Sequence, residues 1–400
     1  MPTDAAAVRA ALDRLLTLAL YALSFLVPRD ERLWAFGCSG GTRFAENSKY
    51  LFLHLANGDS DVRPVWMTRR DDLLADLRAA GYEAYHRDSL RGRLTTLRAG
   101  HVFFTHSLND VGMEAALGSE PVNLWHGVPL KRISLDDSYY RHRMGLANLI
   151  RTLLIYRTYR YVVVTSAALR SRFATAFNVD EERILPLGYP RNDALFGPVE
   201  GETIGFDADA LADVEALAAD RDVVLYAPTW RESGRGVVEH LDLARLDEWA
   251  REHDATVLLK LHPNAAVEVG EEYEHVVHLP AELDVHPAMR HADVLVTDYS
   301  SLYFDFLLLD RPLVFFPFDL ERYLAEDREL YFDYDDTTPG PKATDTESLC
   351  AELTEALEDD GYAEERARVR ERFFDHVDGE SSRRVSERLL ADVEAKEAAE

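Results

Sequence analysis

The feature that most constrains this chain is an alternation of short β-branched or aromatic runs with longer helical segments, which breaks once and then resumes. Runs at 33–36 (LWAF), 62–67 (VRPVWM), 101–105 (HVFFT), 122–125 (VNLW) and 161–165 (YVVVT) read as buried strands, with helical patterns at 45–57, 71–80 and 88–99 among them. The alternation restarts at 223–227 (VVLYA), 256–261 (TVLLKL), 275–279 (HVVHL), 293–297 (DVLVT) and 312–316 (PLVFF). Nearly continuous apolar strands with helices between them imply parallel sheets covered on both faces, an α/β chain. The stretch 197–210 (GPVEGETIGFDADA) is rich in Gly and acid, poor in pattern, and reads as a linker. Four hundred residues also exceed one comfortable hydrophobic core. Two doubly wound domains in tandem are expected, facing a central cleft with strand C-termini and helix N-termini turned towards it.

Charge narrows the partners. The chain has 72 acidic and 44 basic residues, a net charge of -28, and Lys only at 49, 131, 260, 342 and 396. Nucleic-acid binding needs a basic footprint, so nucleic acid is not an expected partner. The acid is spread over many helices and reads as a solvated, salt-adapted (halophilic) surface or as that of an ordinary acidic enzyme. Cys38 and Cys350 are far apart and outside any metal spacing, which suits a reducing compartment.

Two segments depart from the acidic background. Leu15–Val27 runs 13 residues without a charge, short of the roughly 20 needed to span a bilayer, and no small-residue cleavage site follows it. An interfacial helix, a helix docked on the fold and a weak signal anchor all fit it. Between Lys131 and Arg160, seven basic residues face only Asp136 and Asp137, and Leu, Ile and Tyr alternate with Arg at helical spacing. That composition suits a helix on an anionic membrane, a core helix with snorkelling Arg stems, or a patch for an anionic substrate.

Chemistry concentrates where strands should end. In NLWHGVPLKR (123–132) His126 follows a strand, with Gly127 behind it to let a ligand approach the backbone. A general base fits this position, and so does a structural His bonded to a carbonyl. YAPTWRE (226–232) offers Thr229 and Arg231 as donors to phosphate oxygens. LLKLHPN (258–264) places His262 at a strand end with Lys260 on the same face. His262 is read either as a donor to a phosphoryl oxygen or as a turn residue. VLVTDYSSLYFDFLLL (294–309) runs from a strand through Asp298 and Ser300-Ser301 into an apolar helix, with Ser300 as the expected N-cap. Such a helix start suits phosphate, while Asp298 fits a ribose hydroxyl or a loop-holding role, and capping fits it and Asp305 equally. His275, His278, His286 and His291 lack ligand spacing and read as solvated or structural; a metal site is not expected. Neither a GxxxxGK[ST] loop nor an HExxH motif is present, so P-loop hydrolysis and zincin chemistry are unsupported.

In order along the chain, FGCSGGTRFAENSKYLF (36–52), NLWHGVPLK (123–131), LGYPRND (187–193), YAPTWR (226–231), KLHP (260–263), TDYSSLYFDF (297–306) and RPLVFFPFDLERY (311–323) resemble the CDP-glycerol glycerophosphotransferase family of teichoic-acid polymerases and primases. The resemblance runs from about 33 to 375. It implies a GT-B-like fold: an N-terminal apolar or interfacial helix (1–32), a Rossmann-like acceptor-side domain (33–196), the linker (197–210), a Rossmann-like CDP-donor domain (211–378) and a charged C-terminal helix (379–400). It implies a CDP-glycerol or similar CDP-polyol donor, a membrane-linked polymer or glycolipid acceptor, release of CMP, and a cytoplasmic location peripherally attached to the inner face of the membrane. His126 would be the base, and His262 would stabilise charge on the phosphoryl group or on CMP. Thr229, Arg231, Lys260, Asp298, Ser300 and Ser301 would hold the donor, and Gly127, Lys131, Arg191 and Asp193 would serve the acceptor or the structure. No organic cofactor is called for, and a divalent cation such as Mg²⁺ is compatible with the chemistry. One departure stands out: Val128 occupies the place after His-Gly where the family usually has Thr, removing a hydroxyl beside the base. The rival readings are a GT-B glycosyltransferase using another nucleotide donor such as a UDP-sugar, and a non-catalytic membrane-associated assembly protein.

Overall fold

The computed structural model describes residues 17–229, 240–261, 273–326 and 329–399. Within them, each of the ten expected runs contains a strand, and all pairings within the two sheets are parallel. The first sheet comprises β1 (Asp30–Phe36), β2 (Arg63–Thr68), β3 (Ala84–His86), β4 (Ala99–Phe104), β5 (Glu120–Asn123), β6 (Tyr161–Val164) and β7 (Ile184–Pro186), in the order β3-β2-β1-β4-β5-β6-β7. The second comprises β8 (Asp222–Tyr226), β9 (Ala255–Leu259), β10 (Val276–His278), β11 (Val294–Thr297) and β12 (Leu313–Phe315), in the order β10-β9-β8-β11-β12. Both orders reverse next to their first strand, between β1 and β4 and between β8 and β11. These reversals open crevices at the C-terminal sheet edges, where ligands bind in doubly wound sheets. Trp34, Phe36, Trp66 and Phe103 are fully buried in the first sheet, and Val224, Val257, Val294 and Val314 in the second, as continuous apolar runs require.

One boundary differs from expectation. The helix Ala208–Asp220 starts inside the stretch read as a linker. The remainder of that stretch is pinned: the Glu202 carbonyl accepts from Lys49 Nζ at 2.6 Å, and its carboxylate pairs with Arg290 at 2.7 Å. At the other end, the helix Ser381–Glu397 crosses back to the first domain, where Lys396 bridges Glu31 at 3.0 Å and Glu120 at 2.5 Å. Those contacts fasten the chain's end onto β1 and β5.

The apolar segment near the N-terminus is helical over 17–23. Leu20 docks against Leu97 and Ala115, whereas Leu18, Leu23, Phe25 and Leu26 stay exposed. Among the described residues, no helix is long and apolar enough to cross a membrane.

Candidate active site

An open cleft of about 290 Å³ lies between the C-terminal edges of the two sheets. From the first domain it is walled by Arg43, Glu46, His126 and Arg191, and from the second by Pro228, Lys260, His286, Ser300 and Ser301.

His126 owes its place to a forced turn after β5. Trp125 has φ 56° and Gly127 has φ 147°, so the chain reverses sharply around the imidazole. Asn47 holds the turn by donating to the Leu124 and Trp125 carbonyls, each at 2.9 Å, while its own Oδ1 accepts from Arg191 N at 3.1 Å. The ring lies against Trp125 (centroids 4.1 Å) and parallel to His106 (4.6 Å, 5°). His126 Nδ1 sits 3.1 Å from the Thr105 carbonyl. A carbonyl only accepts, so Nδ1 carries the proton and Nε2 keeps a lone pair, the tautomer a general base needs. Burial, then the charge of neighbouring His106, push His126 down to about 4, against the pull of Glu46.

A pH profile follows. With His126 as the essential base, kcat/KM should hold down to about pH 4, well below an ordinary His limb near 6.5. An anionic donor beside the ring favours its charged form, so the limb in kcat should lie higher. A kcat/KM limb at about 6.5 would contradict this environment. For stability, the depressed His126 contributes fully above its unfolded value of about 6.5 and loses that contribution as pH falls towards 4.

Gly127 is one point where the two domains touch. A Cβ there would stand 2.8 Å from Ser301 Oγ and 3.0 Å from Arg191 Nη2. Gly127→Ala should therefore force the cleft walls apart at a strain of about 1–3 kcal/mol, and lower kcat/KM by at least about tenfold. Steady-state kinetics beside a denaturation curve checks both. The residue after it, Val128, is fully buried in the core, so its side chain is not part of the cleft wall.

Beneath the cleft runs a chain of ion pairs that the sequence did not announce. Arg191 contacts Glu46 through Nη1 and Asp305 through Nη2 at 2.5 Å. His286 Nε2 lies 3.3 Å from Asp305, and its Nδ1 lies 3.3 Å from Asp284, which also accepts from Lys49 Nζ and Tyr50 OH at 2.8 Å each. Burial and Arg191 oppose a proton on His286, but hydrogen bonds to Asp284 and Asp305 win and raise it above the ordinary value. With His286 charged, three cations (Lys49, Arg191, His286) balance three carboxylates (Glu46, Asp284, Asp305). The stability this His contributes is present below its unfolded value and lost as pH rises through the folded one.

The second domain's residues divide by role. Lys260 follows β9 and donates from Nζ to the Pro280 and Ala281 carbonyls, each at 2.8 Å. Burial and the neighbouring Arg43 push it down to about 8, which leaves it cationic at neutral pH. Asp298 is buried and absent from the cleft wall; its Oδ1 accepts from Thr229 N at 2.8 Å and Tyr299 N at 2.5 Å, tying the loop after β8 to the turn after β11. Thr229 adjoins the Ala227-Pro228 wall. The helix after β11 is short, Leu302–Phe306; Ser301 holds the N-cap position without a side-chain cap bond, and the hydroxyl that accepts from the helix start is the expected one, Ser300 Oγ from Leu302 N at 3.3 Å. Local hydroxyls and N–H groups, rather than a long helix dipole, are what this turn offers to an anion. Asp305 is no cap, being fully buried against Arg191 and His286.

Arg191 is the acceptor-or-structural candidate whose charge reaches the cleft. Lys131 lies in an antiparallel bridge to Leu330 with Nζ 5.1 Å from the Tyr323 ring. Asp193 lies elsewhere, accepting from Ser381 N and Ser382 N at 2.8 Å each, and so fixes the start of the C-terminal helix. Its burial pushes it up to about 6. Arg231 and His262 lie outside the described residues. Sequence reasoning missed Arg43, Glu46, His106 and His286. Arg43 and Glu46 sit inside the 36–52 segment already singled out, and the positive φ of Glu46 (62°) shows how tightly that loop is bent. Gly37–Gly41 carries the G-x-S-x-G spacing of a nucleophile elbow. Only a 3-10 turn at Ser39–Gly41 precedes the α-helix that starts at Glu46, however, and Ser39 Oγ meets Cys38 Sγ (3.4 Å) rather than a His. Among the described residues, no group of three or more His, Cys, Asp or Glu is disposed to hold a metal ion.

Comparison with known proteins places this geometry. The family described as CDP-Glycerol:Poly(glycerophosphate) glycerophosphotransferase matches residues 19–391. A teichoic acid glycerol-phosphate transferase of Staphylococcus aureus is 26% identical over 382 residues, covering 90% of this chain and 93% of the relative. A teichoic acid poly(glycerol phosphate) polymerase of Staphylococcus epidermidis is also 26% identical, across 90% of this chain, but the chain spans only half of that relative's length. A teichoic acid ribitol-phosphate primase of Bacillus spizizenii is 33% identical over 242 residues, 60% of this chain and 61% of the relative. Among solved structures, the wall teichoic acid polymerase TagF superposes with a TM-score of 0.77 at 23% identity, covering 99% of this chain and all of that one. That likeness establishes the GT-B-like fold of two doubly wound domains.

Proposed function

Because the chain belongs to the CDP-glycerol:poly(glycerophosphate) glycerophosphotransferase family, we propose that it moves glycerol phosphate, or a related polyol phosphate, from a CDP-linked donor to a hydroxyl of a membrane-associated surface polymer or glycolipid. The observation that carries this reading is His126, presenting an unprotonated Nε2 to a cleft whose facing wall holds Lys260, Ser300 and Ser301. The acceptor hydroxyl gives its proton to Nε2 as its oxygen attacks the phosphorus that bears the polyol. The bond from that phosphorus to the bridging oxygen breaks, and CMP leaves with the electron pair. Arg43, Lys260 and the two serines stand where the diphosphate charge would lie, so catalysis rests on positioning and electrostatics. Thr229 and Arg231 would complete the donor side, and His262 would steady the charge on the transferred group or on CMP.

Support for a membrane-borne acceptor comes from the surface. The helix Leu146–Arg157 has no buried residue, and Leu146, Ile150 and Leu154 lie exposed along one stripe with Arg157 beside them. The exposed Leu18, Leu23, Phe25 and Leu26 add a second apolar surface. An apolar stripe edged with Arg suits the interface of an anionic membrane, so we read the chain as attached peripherally to the inner face.

Offering the protein CDP-glycerol, CDP-ribitol and UDP-sugars with a lipid-linked acceptor tests the donor. CMP release coupled to acceptor extension is expected, and turnover of a UDP-sugar alone would overturn the reading.

A further inference from the structure

A second hollow, of about 490 Å³, opens between the helices Ser138–Arg143 and Leu146–Arg157 and the loop after β4. One of its walls is His106, whose ring stacks on His126 with centroids 4.6 Å apart. The hollow and the cleft therefore share one wall, the two stacked imidazoles. His106 is fixed there, its backbone N donating to Asp110 Oδ2 at 3.0 Å and its Nδ1 lying 2.8 Å from Thr105 Oγ1.

The charge of this hollow runs against the whole chain. The protein carries 72 acidic residues, yet no Asp or Glu lines it. Arg143 and Arg151 do line it, and among the described residues neither has a carboxylate partner. In so acidic a chain, two arginines kept clear of acid mark a place for an outside anion.

Helix geometry separates this site from the lipid-facing stripe. At about 100° per residue, Asn148, Thr152 and Ile155 lie on the face opposite Leu146, Ile150 and Leu154, with Arg151 on the flank between, and these four line the hollow. Arg157 falls within the stripe, whereas Arg151 lies about 100° round from its centre and lines the hollow.

Resting on the transferase reading above, we propose that this groove binds the phosphodiester of the acceptor chain next to its terminal hydroxyl, with Arg143 and Arg151 as the phosphate-binding pair. A polymer of polyol phosphates carries a phosphate one polyol behind the attacking hydroxyl. With that phosphate held in the groove, the hydroxyl is delivered past His106 to His126 from the side opposite the donor. The enzyme would thus distinguish a phosphate-bearing acceptor from a neutral alcohol.

The test uses the full chain in membrane-free buffer with soluble glycerol-phosphate oligomers and a neutral polyol of similar length. Arg143→Gln/Arg151→Gln should raise the KM for the oligomer by about tenfold or more while leaving the KM for CDP-glycerol unchanged. It should also erase the preference for oligomer over neutral polyol. Direct titration of a fluorescent oligomer, without donor, should weaken by the same factor, and Arg157→Gln should match wild type. Unchanged oligomer affinity in the double variant would overturn the proposal. So would lost binding to anionic vesicles with oligomer affinity intact, which would make the groove a lipid headgroup site. If CDP-glycerol is not turned over but oligomer binding still falls in the double variant, the donor reading fails and the groove assignment stands.

Discussion

His126→Ala is expected to lower turnover by at least about 100-fold, the low end of what a positioned general base contributes. The loss should fall on kcat, with the KM for the donor little changed, because the diphosphate contacts proposed here come from Arg43, Lys260, Ser300 and Ser301. The fold should survive. The turn that carries His126 is held by Asn47 through the Leu124 and Trp125 carbonyls, and Trp125 is also packed edge-on against Phe173 and Phe177. Partial rescue by added imidazole would tie the loss to the missing base. Unchanged synthesis in this variant would remove the catalytic assignment and favour an assembly role.

The second large effect is on stability. Arg191→Met removes the cation shared by Glu46 and Asp305, and Asp305 is fully buried. Breaking a buried pair from one side leaves an uncompensated charge, at a cost of about 3–5 kcal/mol. Denaturant unfolding should show that loss. Pairing it with Asp305→Asn should cost less than the two single losses summed, since each single change already breaks the same contact. A loss below about 1 kcal/mol would mean that water reaches Asp305. The consequence extends to function, because Arg191 N also donates to the Asn47 that holds the His126 turn.

These two sites differ in how far the sequence discloses them. His126, Ser300 and Ser301 were legible because each follows a strand run that period and composition already mark, and strand ends are where a parallel sheet exposes its chemistry. Strands β3 and β7 were not, being only the three-residue runs AYH and ILP, too short for a pattern. The network of Glu46, Arg191, Asp284, His286 and Asp305 was illegible for a different reason. Its members come from four distant segments, which folding within each domain and the Arg191–Asp305 contact between domains make neighbours. Hence His286, isolated in sequence, is buried between two carboxylates, and Asp305, which reads as a cap, is the far end of an Arg191 bridge. Val128 shows the same limit: beside the base in sequence, it is buried with its side chain in the core.

The central claim is that phosphorus moves with the polyol. CDP-glycerol labelled with ³²P at the phosphorus attached to glycerol tests it most directly. The account predicts label in the acceptor, unlabelled CMP released in equal amount, and both products at least about 100-fold slower from His126→Ala. Label leaving with the nucleotide as CDP would mean that the glycerol carbon–oxygen bond is the one cleaved, and would contradict the account.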